Sequence, residues 1–167
     1  MIRSIVEFEK YWGHEREGTL KILDALTDAS LSQAVSPGDR TIGRMAWHIT
    51  TSIPEMMERA GLALAGPAAN APVPSTAAAI RSAYAEASGS LLDQVKAKWE
   101  DSTLQVEDDM YGERWKRGFT LLVLINHQIH HRAQMTVLMR QAGLRVPGVY
   151  GPSKEEWVNY GAEPPAV

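Results

Sequence analysis

Apolar residues recur at three- and four-residue spacing over four long segments, which predicts four amphipathic helices and gives little support to strands. The first segment runs from about Ile2 to Leu26, with Ile5, Phe8, Trp12, Leu20, Leu23 and Leu26 on one side and charge on the other. Thr27 to Arg40 contains Ser36-Pro37-Gly38-Asp39 and reads as a loop. Thr41 is a suitable N-cap for a second helix carrying Ile42, Met45, Ala46, Ile49, Ile53 and Met56, and Pro54 inside it predicts a bend near Thr50. Gly61 to Pro74 is a connector rich in Ala, Gly and Pro, long enough to return the chain so that helix three runs parallel to helix two. Ser75 or Thr76 caps the third helix, which continues through Ile80, Tyr84, Leu91, Leu92, Val95 and Trp99. Thr103 to Gly118 is polar, with a Tyr111-Gly112 turn that suits a short irregular or hairpin insert. The fourth helix spans about Phe119 to Ala142 and stops at Gly143. In the tail from Leu144, the apolar side chains Trp157, Val158 and Tyr160 are expected to pack back on the helices.

This pattern predicts an all-α four-helix bundle formed by a single domain over residues 1–167, with a long helix 2–3 connector. Bundles of this kind build their sites from side chains that face one another in the core.

The charge balance narrows the partners. With 17 basic and 20 acidic residues mixed along the chain, no basic stripe exists to neutralise phosphates, so nucleic acid is not an expected partner. No apolar run approaches the roughly 20 residues of a membrane span, and the charged N-terminus does not suit a signal peptide, so a soluble cytoplasmic protein is expected. The chain has no cysteine, which removes thiolate catalysis and leaves His, Asp or Glu to hold any metal.

Candidate chemistry concentrates in Asn126-His127-Gln128-Ile129-His130-His131-Arg132-Ala133-Gln134. At about 100° per residue, Leu124, His127, His131, Met135 and Leu138 fall in one sector roughly 80° wide, placing two imidazoles one turn apart within the apolar face. His130 points elsewhere. A neutral core imidazole needs a partner for each ring nitrogen, and two at this spacing can share a divalent metal ion. His48, at the flank of the Met45-Ile49-Ile53 stripe, can join them if helices two and four pack together. Three imidazoles leave an open coordination position, as catalytic rather than structural metal sites do.

The segment Thr41-Ile42-Gly43-Arg44-Met45-Ala46-Trp47-His48-Ile49, followed by His127-x-x-x-His131-Arg132-Ala133-Gln134, resembles the DinB/YfiT-like superfamily. The resemblance extends over most of the chain, and His131-Arg132-Ala133-Gln134 is its most specific element. It implies a down-up-up-down bundle, often a homodimer, with a divalent metal held by residues that correspond here to His48, His127 and His131. Members include thiol-dependent S-transferases, a mycothiol-dependent maleylpyruvate isomerase and metal-dependent hydrolases. The match therefore fixes the site better than the reaction.

The neighbouring candidates each have a bland reading. Arg132 is expected to pair with a helix-one carboxylate such as Glu9 or Glu15, the alternative being an anion anchor. Gln134 can hydrogen-bond a ligand imidazole or face solvent. Glu15 can border the metal pocket as a general base, although an exposed helical Glu is commoner. Trp47 reads as core or pocket wall, and His14 as solvated.

The expected function is a metal-dependent enzyme acting on a small molecule: an S-transferase using zinc or nickel and an external low-molecular-weight thiol. Hydrolysis or isomerisation through metal-activated water, and a non-enzymatic stress-associated binding or scaffold role, are the alternatives.

Overall fold

The computed structural model describes residues 1–166. Four long helices dominate: α1 (Ile5–Asp24), α2 (Ile42–Arg59), α3 (Ala77–Lys98) and α4 (Arg117–Gln141). Three begin where a side-chain oxygen accepts an otherwise orphaned backbone N–H. Ser4 accepts from Glu7, Thr41 from Arg44 and Thr76 from Ala79. Thr76, rather than Ser75, is thus the cap of α3. Past the end of α4, Gly143 adopts a positive φ of 74°, the left-handed conformation that suits glycine.

Helix α1 starts three residues later than its apolar pattern suggests, at Ile5 after the Ser4 cap. Helix α4 starts two residues earlier than Phe119, at Arg117, whose guanidinium grips Asp108 at 2.8 and 3.1 Å. The segment between α1 and α2 is not plain loop, since a short 3-10 helix (Asp28–Ser32) forms where Thr27 and Ser30 cap each other. Helix α2 runs through Pro54 without interruption, although the proline lacks the N–H that would bond the Thr50 carbonyl.

Before α4 lies an antiparallel hairpin of β1 (Glu107–Met110) and β2 (Glu113–Lys116). Its two-residue turn, Tyr111 at φ 60° and Gly112 at φ 89°, has the positive φ pair that matches strand twist.

The helices contact one another pairwise, α1 against α3 and α4, and α2 against α3 and α4. Along α1 and α3, Ile5 N–H donates to Asp101 just beyond the end of α3, Lys96 pairs with Glu9, and Arg81 pairs with Asp24. At the start of α4, Ile2 N–H donates to the Gly118 carbonyl, and a Cβ at Gly118 would lie 2.3 Å from the Ile2 oxygen. The approach of the two segments therefore requires glycine there. The shared core contains Phe8, Trp12, Ile22, Ile42, Ile49, Ile53, Met57, Ile80, Tyr84, Leu91, Leu121 and Met135. Each such side chain contributes about 1.5–3 kcal/mol by leaving water.

The connector between α2 and α3 is pinned. Trp47 Nε1 donates to the Ala71 carbonyl at 2.8 Å, and Ala65 N–H donates to Ser90 at 2.9 Å. In the tail, Val146 is buried and Val149 packs against the core. The expected anchors are elsewhere: Val158 and Tyr160 are 74% and 70% exposed, because their 3-10 helix (Lys154–Tyr160) is held through charge, with Arg140 binding Glu155. Among the described residues, no helix is long and apolar enough to cross a membrane.

Candidate metal centre

Helices α2 and α4 bring His48, His127 and His131 together. One ring nitrogen from each lies within 4.8 Å of the others. His48 Nε2 and His127 Nε2 are 3.1 Å apart, and the ring centroids are separated by 4.6–4.8 Å. Two nitrogens on one tetrahedral zinc ion, each at about 2.1 Å, stand roughly 3.4 Å apart, so the spacing of this pair suits a shared ion. His130 is exposed and His14 is exposed on α1.

All three imidazoles favour the neutral, ligand-competent form. Burial lowers His48 to about 4, aided by the charges of His127, His131, Arg40 and Arg44. Burial also lowers His127 to about 4, with His131, His130 and Arg40 adding to the effect. His131 is lowered by burial too, against the hydrogen bond it donates to Gln134, which pulls the other way.

Hydrogen bonding alone does not satisfy the cluster. One proton can be shared between the Nε2 atoms of His48 and His127, yet His127 Nδ1 remains buried without a protein partner among the described residues. An unpaired buried nitrogen costs about 1–3 kcal/mol. A divalent ion would use the nitrogens that face one another, Nε2 of His48 and of His127 among them, and the donor set fits zinc, nickel or a similar borderline cation; His127 Nδ1 would still need a partner of its own.

Gln134 sits beside the cluster. Its amide oxygen lies 2.8 Å from His131 Nδ1, and its nitrogen lies 3.2 Å from His130 Nε2. An amide oxygen can only accept, so Nδ1 of His131 carries the hydrogen and Nε2 keeps its lone pair.

Glu15 and Arg132 form a different unit. Glu15 is 4% exposed, Arg132 3%, and their side chains meet at 2.7 Å. Arg132 also donates to Thr19 Oγ1 and the Glu15 carbonyl, while the second Glu15 oxygen accepts from Tyr150. The Glu15 carboxylate is therefore fully engaged in joining α1, α4 and the tail. Trp47, next to His48, is buried with its indole N–H bound to the connector.

Two further residues near the cluster escape a reading by sequence alone. Arg40 and Glu55 both act electrostatically on His127. Glu55 follows His48 by seven residues, two turns along the same face of α2, a spacing that could have flagged it. It accepts from Tyr111 at 2.6 Å and from Arg59 at 2.9 Å, and burial together with Glu55 pushes Tyr111 up to about 12. Arg40 lies in a loop, where no periodicity could place it. A cleft of about 420 Å³ opens beside His131, lined by Val35, Asp39, Arg40, Met45, Gln134 and Leu138.

A mostly helical scaffold with three histidines converging from two facing helices defines a class of candidate metal-site proteins, and comparison with known proteins places the chain within one family. It belongs to the DinB family, whose model matches residues 1–164. It is 44% identical over 167 residues to YrdA, an uncharacterised protein of Bacillus subtilis (strain 168), with both chains covered in full. A DinB-like protein from Bacillus cereus ATCC 10987 has a crystal structure that superposes with a TM-score of 0.87 at 45% identity, over 90% of this chain and 100% of that one. A second DinB-like protein, YjoA of Bacillus subtilis, shares the fold at 18% identity and a TM-score of 0.65, over 82% of this chain and 92% of that one.

Proposed function

We propose that this chain is a metal-dependent enzyme, an S-transferase that joins an external low-molecular-weight thiol to a small electrophile. His48, His127 and His131 are the metal ligands. The observation that carries this reading is the convergence of three imidazoles that favour the neutral form, one of which borders an open cleft. A divalent ion held there, zinc or nickel by the donor set, would supply Lewis acidity that favours the ionised form of a thiol or of water.

The chain's own residues have defined roles. The imidazoles bind through lone pairs kept free of protons by burial, and Gln134 holds the hydrogen on Nδ1 of His131. Met45 and Leu138 give the cleft apolar walls that exclude water from one side of the reactants. In the transfer, the thiol loses its proton to solvent and its sulfur forms a bond to the electrophilic carbon. The leaving group departs from that carbon with the bonding electron pair. A chain without cysteine has to take the sulfur from outside.

The same reading includes a single down-up-up-down bundle over residues 1–167. The pairing of Ile5 with Asp101 and Asp24 with Arg81 supports α1 antiparallel to α3, and that of Ile2 with Gly118 and Glu15 with Arg132 supports α1 parallel to α4. It also includes a cytoplasmic homodimer, which sedimentation resolves against an 18.4 kDa monomer.

The test is elemental analysis of untagged wild type and His131→Ala after exhaustive dialysis, followed by thiol–electrophile turnover assays. About one divalent ion per chain in the wild type, lost in the variant, together with thiol-dependent turnover, is the expected result. Turnover without added thiol would favour hydrolysis or isomerisation. Metal uptake without turnover across the panel would favour a binding or scaffold role, and no uptake of zinc or nickel would end the enzyme reading.

A further inference from the structure

We infer that the cleft between the Val35–Arg40 loop, α2 and α4 is the binding site for an apolar carboxylate, with Arg40 as the anchor for its anionic end. For its catalytic meaning this rests on the metal-site reading, because the cleft opens beside His131. As a binding site it stands without a metal.

The first observation is an unengaged cation. Among the described residues, the exposed Arg40 side chain, like those of Arg44 and Arg145, makes no hydrogen bond or ion pair with a protein partner, whereas Arg59, Arg81, Arg117, Arg132 and Arg140 each pair with a carboxylate; of the former, Arg40 is the one that lines the cleft beside His131. The adjacent Asp39 lines the same cleft but forms no ion pair with it among the described residues, and its carboxylate accepts from the Ser36 hydroxyl at 2.6 Å. A guanidinium presents several N–H donors in a planar fork that matches a carboxylate.

The second observation is placement. Arg40 lines the same cleft as His131 and Gln134. A ligand anchored there lies beside His131, one of the three clustered histidines.

The third is the character of the walls. Val35, Met45, Val137 and Leu138 surround a volume of about 420 Å³, within the ordinary range for small-molecule sites. Val35 and Val137 are 68% and 59% exposed, so apolar surface stands in water on both sides of the opening. One unpaired cation and one carboxylate, Asp39, stand beside four apolar side chains, so the guanidinium favours a ligand with a single negative group and an aliphatic or aromatic body, and Asp39 disfavours a second negative group. Phosphate esters, which several donors usually cradle, are a poorer match. The electrophile, rather than the thiol, is the partner assigned to this cleft.

Titration of hexanoate and of hexanamide, followed by backbone amide NMR, tests the assignment on the metal-free protein and again after zinc loading. Wild type and Arg40→Gln are compared. The expected result is that hexanoate shifts the amides of Val35, Arg40, Gln134 and Val137 in both forms. Hexanoate binding should weaken roughly tenfold or more in Arg40→Gln, while hexanamide binding stays unchanged. Arg40→Lys should recover part of the preference for the charged ligand. Equal binding of hexanoate and hexanamide to the wild type, no loss in Arg40→Gln, or shifts confined to another face would overturn the inference. The two readings fail separately. Zinc uptake with no Arg40-dependent hexanoate binding leaves the metal site and removes the anchor, and the reverse pattern keeps the anchor and removes the metal.

Discussion

Gln134 and His131 are joined across one turn of α4 by a 2.8 Å contact between the amide oxygen and Nδ1, which fixes the imidazole tautomer before any ion arrives. Groups that orient a ligand imidazole typically change metal affinity by about 10–100-fold when removed. Gln134→Leu should therefore weaken zinc binding by that range without unfolding the protein, since Gln134 is exposed. Competition with a chromogenic chelator measures it, and an unchanged affinity would refute the positioning role.

Metal binding should appear as stabilisation. A ligand present at about 100 times its dissociation constant adds about 2.7 kcal/mol to the folded state. Zinc or nickel should raise the Tm of the wild type and leave that of His48→Ala unmoved. If His48→Ala responds like the wild type, the cluster is not the binding site.

The metal-free protein should lose stability on mild acidification. An unfolded imidazole titrates near pH 6.5, whereas His48 and His127 are held at about 4 and His131 is also lowered. As pH falls from about 6.5 towards about 4, the unfolded chain takes up protons that the folded chain resists, so stability declines through that window and levels off below it. Urea denaturation at pH 7.5 and 5.5 should show this decline, and a smaller one in His127→Gln. Equal declines in the two proteins would mean that other groups are responsible.

Arg132 and Glu15 should behave as a structural pair. Removing one member of a buried ion pair strands the other charge and costs about 3–5 kcal/mol. Arg132→Leu should therefore lower the urea midpoint strongly, with part of the loss recovered in Arg132→Leu/Glu15→Gln. Zinc uptake should survive in the folded double variant. Loss of uptake with stability intact would instead assign the pair to the site.

Much of the fold was legible because its signals are local. The Thr41 cap, the Gly143 stop and the Tyr111-Gly112 turn each state a backbone requirement in one or two residues. The histidine cluster was legible for a different reason: the one-turn spacing of His127 and His131 is fixed by helix geometry, and His48 needed only the contact between α2 and α4. The burial of Glu15 was also written in the chain, since it continues the Phe8, Trp12, Thr19, Ile22 stripe, but the commonness of exposed glutamates on helices obscured it. The tail was misread because aromatic content says that a segment can pack, not which residues do. Val146 and Val149 pack inward, and Val158 and Tyr160 do not. Arg40 carries no periodic signal, so only the folded loop reveals its neighbours.

His48 and His127 are 79 residues apart in sequence, and all of α3 and the hairpin lie between them. An ion gripping both would act as a removable clasp that closes this long stretch of chain into a ring. Its loss would be felt first as breathing of α2 against α4, visible in amide hydrogen exchange, well before the helices themselves came apart. Supply of metal would then set how firmly the molecule holds its own shape.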